Sequence, residues 1–217
     1  MRKWLLTIGL VWFAISASAG TISGTVSVKG LRKKQDILVF IEKVGDNNFA
    51  PPEKNPLMDQ INMVFTPFVL PVVVGTTVDF RNSDNVLHNV FTPDAVAEKF
   101  NLGTWPKGQI RFYTFKRPGV AVILCNVHPE MEAYVAVLKN PYFAVTDKEG
   151  KFTIPALDKD KKPTAAELPA GTYRLHTWHP KLKSVVQEVT VPAEGAVEVS
   201  LSLRRGKPDK IEDLYKE

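Results

Sequence analysis

Cys125-Asn126-Val127-His128-Pro129-Glu130-Met131 follows directly on Val120-Ala121-Val122-Ile123-Leu124, an unbroken apolar run that reads as a buried strand. The loop sets a thiol, an imidazole and a thioether at three-residue intervals, so one tight turn can wrap all three around a single ion. Soft sulfur donors beside an imidazole suit copper, which accepts electrons through the Cys sulfur. A site of that kind uses two His and one Cys as strong donors, with Met weak and axial, so it needs a second histidine. His88 offers it from a different strand, in Asn82-Ser83-Asp84-Asn85-Val86-Leu87-His88-Asn89.

Outward from the loop, short apolar or alternating runs are separated by turn residues. Phe68 to Val74, Thr77 to Arg81, His88 to Phe91, Gln109 to Phe115 and Tyr134 to Leu138 read as strands, and only Asp94 to Phe100 suits a short helix. This pattern predicts an antiparallel sandwich or barrel. Upstream, Thr21 to Val28 and Ile37 to Val44 are further strand candidates. Residues 45–60 carry Pro51, Pro52 and Pro56 and read as a connecting loop. Downstream, residues 140–203 form another small β unit, and Arg204 to Glu217 reads as a charged, mobile tail.

The whole chain of 217 residues is 44% hydrophobic and 24% charged, with 16 Pro and 13 Gly. That composition excludes wholesale disorder and fibrous rods, and it favours strands and turns. Arg2 and Lys3, the apolar run from Trp4 to Ile15, and Ala17-Ser18-Ala19 read as a signal peptide over 1–19. The run is too short for a bilayer span. The mature protein is expected to be periplasmic or otherwise exported. Without Arg2 and Lys3 the net charge falls from +5 to +3, and no basic run interleaves with aromatics, so nucleic acid is not an expected partner. Cys125 is the single cysteine and forms no internal disulfide. In an oxidising compartment such a thiol needs burial or a metal.

Residues from about 61 to 139 resemble the cupredoxins, the small copper electron carriers of the plastocyanin, pseudoazurin and amicyanin kind. The resemblance rests on Phe65-Thr66-Pro67, Val74-Gly75-Thr76-Thr77-Val78-Asp79-Phe80, His88-Asn89 and the Cys125 to Met131 loop, whose short spacing is that of amicyanin. It implies a Greek-key β-sandwich holding one mononuclear type 1 copper ion, with His88, Cys125, His128 and Met131 as ligands. It also implies that Asn89 braces the Cys loop, that His128 is the exit to a partner, and that partners are periplasmic redox proteins, a dehydrogenase or a c-type cytochrome. Leu124 stands where these carriers often have an aromatic residue. Glu130 and Glu132 lie beside the site and leave a red-copper variant with a Glu ligand open. Leu102, Trp105-Pro106, Val86 and Pro129 are candidates for an apolar rim, with plain core packing the alternative for Trp105.

Residues 140–203 resemble the carboxypeptidase regulatory, transthyretin-like module, through Thr146-Asp147-Lys148-Glu149-Gly150-Lys151-Phe152-Thr153-Ile154 and Leu168-Pro169-Ala170-Gly171-Thr172-Tyr173-Arg174-Leu175. The charged insertion Asp158 to Glu167 departs from that pattern. Over 21–203 the combination resembles bacterial plastocyanin-like exported proteins, some of them named for methylamine utilisation. The expected organisation is a signal peptide over 1–19, a copper domain over 20–139, a second β domain over 140–204 and a tail over 205–217. A nested arrangement stays open, because Thr21 to Val28 and Ile37 to Val44 also fit the opening of the second module; the copper domain would then be an insertion of about 46–139.

His176 and His179 are three apart on a strand, so they face opposite ways and chelate poorly. Met58 and Met63 read as core. Four histidines are too few for a multicopper oxidase once two are committed, so no enzyme activity is expected. Copper storage or delivery, and a non-redox interaction or carbohydrate-binding module on the same scaffold, are the competing functions.

Overall fold

A computed structural model describes residues 19–30, 33–45, 48–166, 168–193 and 195–216. Apart from the backbone of Ala19, the expected signal peptide lies outside the described residues. The fold is all-β, as expected. In chain order the strands are β1 (Ala19–Val28), β2 (Leu38–Ile41), β3 (Leu57–Ile61), β4 (Val64–Thr66), β5 (Val69–Val73), β6 (Thr77–Asn82), β7 (His88–Phe91), β8 (Asn101–Trp105) and β9 (Ile110–Thr114). They continue as β10 (Gly119–Leu124), β11 (Glu132–Leu138), β12 (Phe143–Val145), β13 (Lys151–Ile154), β14 (Leu168–Pro169), β15 (Gly171–Trp178), β16 (Val186–Val191) and β17 (Gly195–Leu203). The helix expected over Asp94 to Phe100 is a 3-10 turn, Ala95–Ala97.

Period-two alternation builds the inner sandwich. Along β6, Val78, Phe80 and Asn82 point inward, and along β10 so do Ala121 and Ile123. One sheet has the order β5-β11-β10-β7-β8, and the facing sheet has the order β4-β3-β6-β9. Between them lies a core that includes Met58, Phe80, Trp105, Phe115, Ile123, Cys125 and Met131. Residues 45–60 are not wholly a loop. Pro56 is the last proline before Leu57, so Leu57–Ile61 is free to pair as β3, parallel to β6.

The hydrogen-bond ladder pairs strands across the expected boundary between residues 139 and 140. β1 runs parallel to β17 from Gly20↔Gly195 to Val28↔Leu203, and antiparallel to β13. β2 lies between β12 and β15, with Phe40 opposite both Phe143 and His176. Both strands expected within 20–139 therefore belong to sheets completed by strands after residue 142. The nine strands β3 to β11 are enclosed in sequence between them.

β2 explains the join. Its residues are all buried: Val39 and Ile41 enter the core of the outer sheets, while Leu38 and Phe40 pack with Val69, Ala136, Leu138, Trp178 and Ile211. A strand with both faces covered has no reason to alternate, hence Leu38-Val39-Phe40-Ile41. The buried Asn140 stitches the two chain crossings. Its Nδ2 donates to Ile41 O at 2.9 Å and its Oδ1 accepts from Tyr142 N at 3.0 Å. The tail is not free either. Its apolar residues form a 3-10 turn, Ile211–Tyr215, with Ile211 2% exposed in the shared cluster, and Lys139 Nζ lies 5.1 Å from the centre of the Tyr215 ring.

Candidate metal centre

Two neighbouring strands carry the site. β7 opens with His88, and β10 ends at Leu124, paired with Phe91 of β7, so the next residue, Cys125, arrives beside the histidine. The loop then turns back on itself through Met131 N, which donates to His128 O at 3.0 Å before β11 begins. Cys125 Sγ lies 4.0 Å from His88 Nδ1 and 3.9 Å from His128 Nδ1, and the two Nδ1 atoms are 3.1 Å apart. Bonds of about 2.0 Å to nitrogen and about 2.3 Å to sulfur, opened at trigonal angles, separate nitrogens by about 3.5 Å and sulfur from nitrogen by about 3.7 Å. The triangle matches that to within about half an ångström, so these residues fit a metal ion.

Their surroundings fix the donors. His88 is fully buried, and its Nε2 lies 2.9 Å from Asp84 Oδ2. A carboxylate can only accept, so the ring proton sits on Nε2 and the Nδ1 lone pair faces the triangle. Burial pushes the Asp84 carboxyl up, but Met63 N–H, the His88 ring and Asn62 N–H outweigh it and hold the group below the usual carboxylate range. Sequence reading missed Asp84, which sits in a stretch of turn residues; the available signal was an acid four residues before a candidate ligand.

Asn89 sits behind the Cys loop. Its Oδ1 accepts from Asn126 N at 3.2 Å, and its Nδ2 donates to Asn101 Oδ1 at 2.8 Å and to Gly103 O at 2.7 Å. Its own backbone N–H points at Cys125 Sγ at 3.5 Å. One buried amide thus ties the Cys loop to β8.

Of the four expected ligands, His88, Cys125 and His128 meet in one cluster, and among the described residues no other group of His, Cys, Asp and Glu does so. Met131 is buried in the same core cluster as Cys125. Glu130 and Glu132 are exposed, Glu132 accepting from Tyr134 Oη at 2.7 Å, and neither joins the cluster. His176 and His179 lie elsewhere. His176 Nε2 pairs with Glu42 Oε2 at 2.7 Å, while His179 Nδ1 accepts from Lys181 N at 3.2 Å.

The expected rim needs revision. Trp105 is 0% exposed and belongs to the core, because β8 pairs it with His88 inside the sandwich. Of the expected rim, Val86 at 44% and Pro129 are exposed next to the ligands, and Leu87 at 53% and Val127 at 44% join them. His128 itself is half-buried.

No family model matches the chain, and no curated protein matches it. Among solved structures, it is similar to a purple cupredoxin from Nitrosopumilus maritimus, 26% identical over 38% of this chain and 99% of that one, with a TM-score of 0.35. It is similar to a reduced amicyanin variant, 26% identical over 46% of this chain and 97% of that one, with a TM-score of 0.37. A copper-containing nitrite reductase from Thermus scotoductus is 28% identical over 45% of this chain, with a TM-score of 0.38, and the match spans 25% of that enzyme.

Proposed function

We propose that this is an exported mononuclear copper protein that passes single electrons between redox partners. The observation that carries the reading is the donor triangle: one thiolate and two imidazole nitrogens facing one another, with Asp84 holding one ring and Asn89 the loop. Met131, buried in the same core cluster as Cys125, would be the weak fourth donor. Copper held there would supply a one-electron couple between Cu(I) and Cu(II). The chain's part is to keep the donors in place through both states, and donors fixed by the inner sandwich and by hydrogen bonds change little between them.

His128 would be the electron exit. It is half-buried, and among the described residues no side chain bonds its Nε2. Val86 and Leu87, exposed just before His88, and Val127, exposed just before His128, would offer apolar surface on which a periplasmic dehydrogenase or c-type cytochrome would dock. The reading of β1, β2 and β12 to β17 as a transthyretin-like docking module, split by the copper domain, is supported by their mutual pairing. Export is supported by the signal peptide read over 1–19. No helix of the described residues is long and apolar enough to cross a membrane.

Voltammetry of the copper-loaded protein tests the function. A reversible one-electron wave is expected, with the ion retained through repeated cycles. Loss of copper on reduction would point to storage or delivery and overturn the carrier reading.

A further inference from the structure

The tip of the β3–β4 hairpin is Asn62-Met63, and both residues have left-handed backbone, with φ of 57° and 61°. Two consecutive left-handed residues make a tight turn suited to a hairpin. Here the turn aims two amide N–H groups at one carboxylate: Asn62 N donates to Asp84 Oδ1 at 2.7 Å and Met63 N to Asp84 Oδ2 at 2.9 Å. Asp84 N in turn donates to the buried Asn82 Oδ1 at 2.9 Å, and Asn82 Nδ2 donates to Val86 O at 2.8 Å and Trp105 O at 2.9 Å. The carboxylate is therefore fixed from both sides before it meets His88.

We infer that Asp84, clamped by this hairpin tip, is a positioning residue for the metal centre, fixing the His88 ring with Nδ1 toward Cys125 and His128 and placing a negative charge behind that ligand. The inference rests on the proposed copper reading. Two physical arguments support it. A fully buried ring N–H needs an acceptor, and among the described residues Asp84 is the one it has. A carboxylate behind a ligating imidazole also raises the basicity of that ligand. The higher charge of Cu(II) gains more from this than Cu(I), so Asp84 lowers the reduction potential. A turn staple alone would need only the two backbone N–H bonds and would leave both ring and potential unaffected.

The experiment has two arms on the full chain. In metal-free protein, nitrogen NMR of the His88 ring should show the Nε2–H tautomer with its proton protected from exchange. Asp84→Ala should mix the tautomers and remove the protection. In copper-loaded protein, Asp84→Asn keeps the volume and one acceptor but removes the charge. It should shift the Cu(II)/Cu(I) equilibrium about tenfold toward Cu(I), a rise of about 59 mV. An unchanged tautomer and protection in folded Asp84→Ala overturns the inference. If that variant does not fold, an unchanged potential in Asp84→Asn overturns it. Failure of the wild type to bind copper counts against the proposed function alone, because the metal-free arm needs no copper.

Discussion

Asn89 shows how much one residue can hold. Its side chain is buried and joins the Cys loop to β8 through three hydrogen bonds. Asn89→Ala removes the partners of the Asn126 amide and the Gly103 carbonyl, both in exposed residues, so it forfeits two hydrogen bonds worth about 0.5–1.5 kcal/mol each. We expect a loss of about 1–3 kcal/mol in urea unfolding of the metal-free protein. A loss below about 0.5 kcal/mol would show that water replaces these bonds. At this scale the sequence was informative. Cys125 and His128 share one short loop, and the need for a second imidazole pointed to His88. Asp84 was hidden because its contacts reach 21 and 22 residues back, to Met63 and Asn62, and no local pattern carries such a contact. Trp105 was ambiguous for the same reason, since only its pairing with His88 decides between core and rim.

Among the elements, β2 does most to join the sheets. Phe40 presses on the inner sandwich from one face of the strand while Val39 and Ile41 fill the outer core from the other. Phe40→Ala should therefore cost about 3–5 kcal/mol, the range for deleting a buried aromatic side chain. The urea midpoint measures it, and a cost below about 1 kcal/mol would mean that this contact does not hold the units together. β6 was legible because its residues alternate between one core and one half-open side, and β10 because its apolar run is unbroken. β8 was not, since Asn101-Leu102-Gly103-Thr104-Trp105 has a central glycine and mostly exposed side chains. β3 was masked by the prolines before it. The partners of β1 and β2 stayed open between two arrangements, because both strands fit the opening of the second module as well as the copper domain, and a parallel ladder such as Gly20↔Gly195 joins residues distant in sequence.

For the whole molecule, two imidazoles link stability to pH, His176 buried and His179 half-buried. Burial pushes His176 below its ordinary 6.5 against the pull of Glu42, and pushes His179 below it against Asp36. In the unfolded chain both take up a proton near 6.5, while in the folded chain they do so only at lower pH. Between those values the unfolded state holds more protons, so stability rises with pH. This contribution is fully present above the unfolded value and is lost as pH falls through the folded ones. The urea midpoint should drop between about pH 7 and pH 5, and His179→Gln should flatten the drop. Identical pH profiles for variant and wild type would show that His179 keeps its ordinary affinity. Neither histidine lies in the donor cluster, so replacing both by Ala should leave metal stoichiometry unchanged. Fewer bound ions by elemental analysis would contradict that separation.

The visible spectrum of the full chain titrated with Cu(II) tests the central claim most directly. Cys125 Sγ faces two imidazole nitrogens at 3.9 and 4.0 Å, the arrangement in which a thiolate bonds copper strongly and gives an intense charge-transfer band. The account predicts such a band saturating at one ion per chain, abolished in Cys125→Ser and kept, with a shifted potential, in Met131→Leu. A wild-type protein that binds one Cu(II) yet stays colourless would contradict it.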